Sequence, residues 1–167
     1  MTLHEFNALP PNQLKNELTR CCGSAIWVNS MAAIFPVSTE NHLLREADAN
    51  WQDCSEEDWK EAFTHHPKIG DLSALEERFE ATSIWAEGEQ QSVKHTSRQV
   101  LEALAQINTE YEEKFGYIFI VCASGMSAEE MLSLLTLRLL NEPEHEILIA
   151  MEEQNKITQL RLKKLLS

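Results

Sequence analysis

Apolar residues recur along most of this chain at three- and four-residue intervals, the period of a helix buried on one side. Leu43, Leu44, Ala47 and Trp51 line one face of a segment that Ser38 or Thr39 can cap. Trp59, Ala62 and Phe63 form the next face, behind Ser55 and acidic residues suited to a first helical turn. Val100, Leu101, Leu104, Ile107 and Tyr111 mark a long helix beginning at Thr96 or Ser97 and ending near Phe115-Gly116. Ser127 and Glu130 have capping-box spacing and open AEEMLSLLTLRLL, which Asn141 can end. Pro143 suits the first turn of a last helix over roughly 143–165, with Ile147, Ala150, Met151, Ile157 and Leu165 inward and Lys163 and Lys164 at its cation-favouring end. Toward the N-terminus, Pro10-Pro11 suit a helix start, Gly23 suits a C′ position, and Ser24 can cap a short helix ending before Pro36.

Two stretches are less regular. DLSALEERF predicts a helix with Asp71 as cap and Leu72, Leu75 and Phe79 as core, whereas WAEGEQQSVKH is ambiguous because of Gly88. YIFIVCASG is β-branched and apolar and by itself reads as a strand. No second strand signal exists to pair with it, so a buried extended segment or a helix end fits better. The expected fold is all-α, one compact domain over residues 1–167 with about seven to nine helices.

The chain's 167 residues suffice for a single core. Its net charge of −13 and pI near 4.8 argue against nucleic acid and against anionic membrane surfaces. An anionic ligand would need a few local cations to override that field. No apolar run is long enough to cross a bilayer, and MTLHEFNALPPN lacks a secretory pattern, so the chain reads as cytoplasmic. Cys21, Cys22, Cys54 and Cys122 have neither zinc nor disulfide-framework spacing and read as reduced packing residues. The histidines at 4, 42, 65, 66, 95 and 145 show no metal-binding spacing, so no metal is expected.

Candidate chemistry concentrates in THHPKIG. His66 precedes Pro67, which pushes its backbone toward extended geometry, and Gly70 allows a turn. The corner could hold an imidazole stiffly enough for a general acid or base near neutrality. The alternative is a helix stop whose histidine is incidental. Glu87, Glu89 and Gln90 could orient a polar heterocycle or form a solvated acidic loop. Arg161 shares a helical face with Gln154 and Ile157 and needs a partner there, a carboxylate or an anionic ligand, unless it snorkels to the rim. The CASG turn could offer backbone N–H groups at the following helix, and Tyr117, Phe119 and Val121 could line a pocket or belong to the core.

Taken together, THHPKIG, WAEGEQ, EKFGYIFIVCASGMSAEEML and RLLNEPEHEILIAMEEQNKITQLRL resemble the 2-oxo-4-hydroxy-4-carboxy-5-ureidoimidazoline (OHCU) decarboxylases, in order and over nearly the whole chain. The resemblance implies an all-helical, cofactor-free enzyme of urate breakdown, usually a homodimer, that converts OHCU to (S)-allantoin and CO₂. It implies His66 as the catalytic histidine of the HP motif, with Pro67 beside it. Glu89, Gln90, Arg161 and the backbone of Tyr117, Ile118, Phe119 and Ile120 would contact substrate. His65 would have no chemical role. One departure stands out: Ala86 occupies a position where the family often has Ser, so that hydroxyl is dispensable or is replaced by Ser83 or a water.

Two other readings compete. A non-enzymatic helical interaction module fits the acidic surface and long capped helices, but not His-Pro together with Arg161 on an apolar face. Hydrolysis of 5-hydroxyisourate, the preceding step, belongs to a β-rich fold for which this chain has no run of strands.

Overall fold

The computed structural model describes residues 1–67 and the backbone of 90–167, with side chains from 98 onward. The expected helix capped by Asp71, and Ser83, Ala86, Glu87, Gly88 and Glu89, lie outside the described residues. All regular structure among the described residues is helical, as the periodicity predicts. The helices are α1 (Leu3–Asn7), α2 (Pro11–Cys21), α3 (Ala25–Ala33), α4 (Glu40–Gln52), α5 (Glu56–Thr64), α6 (Gln90–Phe115), α7 (Ala128–Leu139) and α8 (Pro143–Leu165).

The starts follow local chemistry. Pro11 stands at the first position of α2, where its missing N–H costs nothing. Ser24, Thr39, Ser55 and Ser127 cap α3, α4, α5 and α7 by accepting backbone N–H bonds. Asp58 and Glu130 complete capping boxes by reaching back to the cap N–H. Helix α1, which the hydrophobic pattern does not announce, is closed by the same device between Thr2 and Glu5.

Two expectations change. Helix α6 begins at Gln90, so Thr96 and Ser97 are interior helical residues rather than caps. Gly23 follows the end of α2 but is not in the left-handed conformation of a glycine C′ position. It is there for space: a Cβ would come within 2.3 Å of the His65 ring. Gly116 is the left-handed glycine, at φ +81°, and its N–H closes α6 on Glu112 O at 2.8 Å.

The described residues fall into two compact units, one of residues 1–66, 120–122 and 147–167, the other drawn from 67–119 and 123–146. In the first, Trp27 and Trp51 are fully buried and aim their indole N–H groups at Ala47 O (3.0 Å) and Met151 O (2.8 Å). Each ring thus removes large apolar area from water without leaving its donor unpaired. Phe6, Leu18, Met31, Leu43 and Phe63 complete this core. On α8 the buried face runs through Ile147, Ala150, Met151, Gln154, Thr158 and Leu162. Ile157 and Leu165, expected inward, are only half-buried because the face drifts past them.

In the second unit the core is partly ionic. Glu146 is wholly buried and accepts from Tyr111 Oη (2.6 Å), Arg138 Nε (2.7 Å) and Asn141 Nδ2 (2.9 Å). The Arg138 guanidinium lies 4.5 Å from the centroid of the Phe119 ring. Residues 117–123 are neither helix nor strand, and Tyr117, Phe119, Ile120 and Val121 are buried, as expected of an extended segment without a strand partner.

Candidate functional site

Helix α5 stops because Pro67 cannot continue it. His65 caps it in helical geometry, and His66 still donates its backbone N–H to Phe63 O at 3.2 Å. Its imidazole enters the first unit half-buried and bonds through Nε2 to Oε1 of Gln154. Gln154 has no solvent exposure. Its Nε2 donates to Thr158 Oγ1 at 3.1 Å, and the threonine hydroxyl has Gln154 O at 3.0 Å and Cys21 O at 3.4 Å within reach.

Arg161, one turn beyond Thr158, donates through Nη1 to Arg20 O (3.2 Å) and Cys21 O (3.4 Å). Sequence reasoning expected a carboxylate or an anionic ligand as its partner. Among the described residues its partners are the last carbonyls of α2 rather than a carboxylate, and the helix dipole favours a cation there. Held there, Arg161 is close enough to depress the His66 pKa. Burial is the larger cause of that depression, the Gln154 bond opposes it, and His65 adds a small push the same way. The imidazole is therefore held neutral to lower pH than a free histidine.

The nearby thiols are poor nucleophiles. Burial raises Cys21 to about 11 and Cys22 to about 12. All four cysteines are free thiols, in keeping with the packing role expected of them. Ile120 is buried in the first unit, and in the same unit Cys122 N donates to Glu153 Oε1 at 3.4 Å. Pro67, Tyr117, Ile118 and Phe119 belong to the second unit, with Pro67 exposed and Ile118 half-buried. Gln90 is the first residue of α6, and its side chain, like the whole of Glu89, lies outside the described residues.

The structure thus brings His66 and Arg161 together within one unit and adds Gln154 and Thr158, which sequence reasoning did not assign. The available signal was their spacing: 154, 158 and 161 share a helix face otherwise apolar, and a buried amide requires partners.

The sequence model of the OHCU decarboxylase family matches residues 7–163. The chain is 35% identical over 153 residues to the "Uric acid degradation bifunctional protein TTL" of Arabidopsis thaliana, covering 92% of this chain and 47% of that protein. It is 37% identical over 99 residues to the OHCU decarboxylase of Amia calva, covering 58% of this chain and 55% of the other. The chain thus spans about half the length of these two curated relatives. A crystal structure of an OHCU decarboxylase in the presence of (S)-allantoin superimposes with a TM-score of 0.73 at 36% identity, covering 90% of this chain and 97% of that one.

Proposed function

The chain belongs to the OHCU decarboxylase family, and from that premise we propose that it is a carbon–carbon lyase that decarboxylates OHCU to (S)-allantoin without a cofactor. The observation that carries this reading is a half-buried His66 hydrogen-bonded to Gln154, with a fixed cation, Arg161, two turns beyond Gln154 on the same helix, in a protein whose overall charge is strongly negative. An acid/base group and an anion-binding group are what the reaction needs from a protein.

OHCU carries a carboxylate and a hydroxyl on the same ring carbon. When the C–C bond breaks, CO₂ leaves and the electron pair passes into the adjacent C=N system. The hydroxyl proton departs as a carbonyl forms, a proton is delivered to the neighbouring carbon on one face, and the ring nitrogen that received the electron pair takes one further proton from water. His66 takes the first proton and supplies the second. Arg161 balances the anionic substrate and the charge that develops on its oxygen atoms. As the resemblance implies, Glu89, Gln90, Pro67 and the backbone of Tyr117, Ile118, Phe119 and Ile120 would contact the substrate. The substrate electronics provide the electron sink. The reading includes a homodimer, as the resemblance implies, and a cytoplasmic setting.

The test is release of labelled CO₂ from OHCU carrying ¹³C at its carboxyl carbon. Release well above the spontaneous rate, and its loss in His66→Gln, supports the reading. Release at the spontaneous rate would leave the non-enzymatic helical module as the better account.

A further inference from the structure

Thr158 decides which way the Gln154 amide faces. The two oxygen atoms near its hydroxyl besides the amide, Gln154 O and Cys21 O, are carbonyls and can only accept. The hydroxyl is placed to donate to Gln154 O at 3.0 Å, which leaves its lone pairs to receive Gln154 Nε2–H at 3.1 Å. This turns Gln154 Oε1 toward His66, and an amide oxygen needs a donor.

We propose that Gln154 and Thr158 are positioning residues that hold His66 as the Nε2–H tautomer, so that Nδ1 is the atom that exchanges protons with substrate. The inference rests on the reading of His66 as the acid/base group. In an imidazole the two nitrogens point to nearly opposite sides of the ring. With Nε2 turned inward onto a fully buried amide, the lone pair of Nδ1 faces outward. Nδ1 accepts the substrate hydroxyl proton, and the imidazolium so formed keeps its Nε2–H bond to Gln154. Nδ1–H then returns a proton to carbon. The amide accepts in both states and does not reorganise during the cycle. Among the described residues, the charged and titratable groups acting on the ring are Arg161 from α8 and His65 beside it, and both disfavour a resident proton. The imidazolium is therefore a short-lived species.

The experiment is long-range ¹H–¹⁵N correlation NMR of the imidazoles in ¹⁵N-labelled protein, combined with steady-state kinetics on OHCU. In the native chain, neutral His66 should show a pyrrole-type Nε2 and a pyridine-type Nδ1. Gln154→Met, close in shape, should give mixed tautomers and lower kcat on the order of 10- to 100-fold, as loss of an orienting partner does, with KM little changed. Gln154→Glu should keep the tautomer and move the acid limb of the kcat profile to higher pH. Thr158→Val should loosen the tautomer in the same direction as Gln154→Met, and Thr158→Ser should restore it. An Nδ1–H tautomer in the native chain, or unaltered spectra and kcat in both Gln154→Met and Thr158→Val, would overturn the proposal. The spectra need no substrate, so they decide the tautomer even if the decarboxylase reading fails.

Discussion

The imidazole of His66 is hydrogen-bonded to the carboxamide of Gln154, 88 residues further along the chain. One partner stands at the corner where Pro67 ends α5, and the other is on the buried face of α8. The bond joins the end of one helix to the middle of another, two turns before Arg161 on α8, whose charge disfavours a proton on the imidazole.

Replacing His66 by Gln keeps a polar group of similar reach but cannot exchange protons near neutrality. We expect kcat/KM to fall on the order of 100- to 10,000-fold, measured as the decay of freshly generated OHCU. The residual reaction should approach the spontaneous one in rate.

The depressed pKa of His66 has a sign. The folded value lies below the ordinary 6.5, so the unfolded chain binds more protons in the interval between the two. This group therefore adds nothing at neutral pH and removes stability as pH falls through about 6.5, levelling off below the folded value. Urea unfolding at several pH values on either side of about 6.5 should show a shallower decline toward acid for His66→Gln than for the native chain.

Arg161 depresses the same pKa through its charge. Arg161→Gln should move the acid limb of the kcat/KM profile to higher pH while lowering its plateau on the order of 100- to 1,000-fold. A lowered plateau with an unmoved limb would separate substrate binding from any influence on His66.

Gly23→Ala should press a methyl group into the His65 ring, which would lie 2.3 Å away at its Cγ. Overpacking of this kind costs about 1–3 kcal/mol. The double variant Gly23→Ala with His65→Ala should recover most of that loss in denaturant unfolding. His65→Ala alone should leave activity near native, since the side chain is exposed and no proton-transfer role falls to it.

In the second unit, Arg138→Met should be severe. It leaves the buried Glu146 carboxylate without its cation, a change that costs about 3–5 kcal/mol in comparable sites. It also removes the guanidinium from the face of Phe119. Thermal unfolding would report the loss.

Much of this fold was legible because its helix starts are written in short-range chemistry. Ser24, Ser55, Ser127 and Pro11 each do locally what their sequence neighbourhood predicts. Gly23 was not legible, because a glycine kept for close approach and one kept for a left-handed turn look alike in sequence. Thr96 and Ser97 resemble caps but lie within α6, where continued helix outweighs a local start signal. His66 and Arg161 stood out as polar residues with no obvious solvent role. Gln154 was placed on the same face as Arg161 but given no role of its own, because its complete burial depends on packing that the sequence does not show. Glu146 sits in a first turn, where an acidic residue already has a sufficient reason in the helix dipole, and its burial depends on Tyr111, 35 residues earlier, and on Arg138 of the preceding helix.

The most direct test of the central claim is circular dichroism of the allantoin formed from freshly generated OHCU, with and without the protein. The account predicts rapid growth of an (S)-allantoin signal that His66→Gln abolishes. A slow racemate indistinguishable from the protein-free reaction would contradict it.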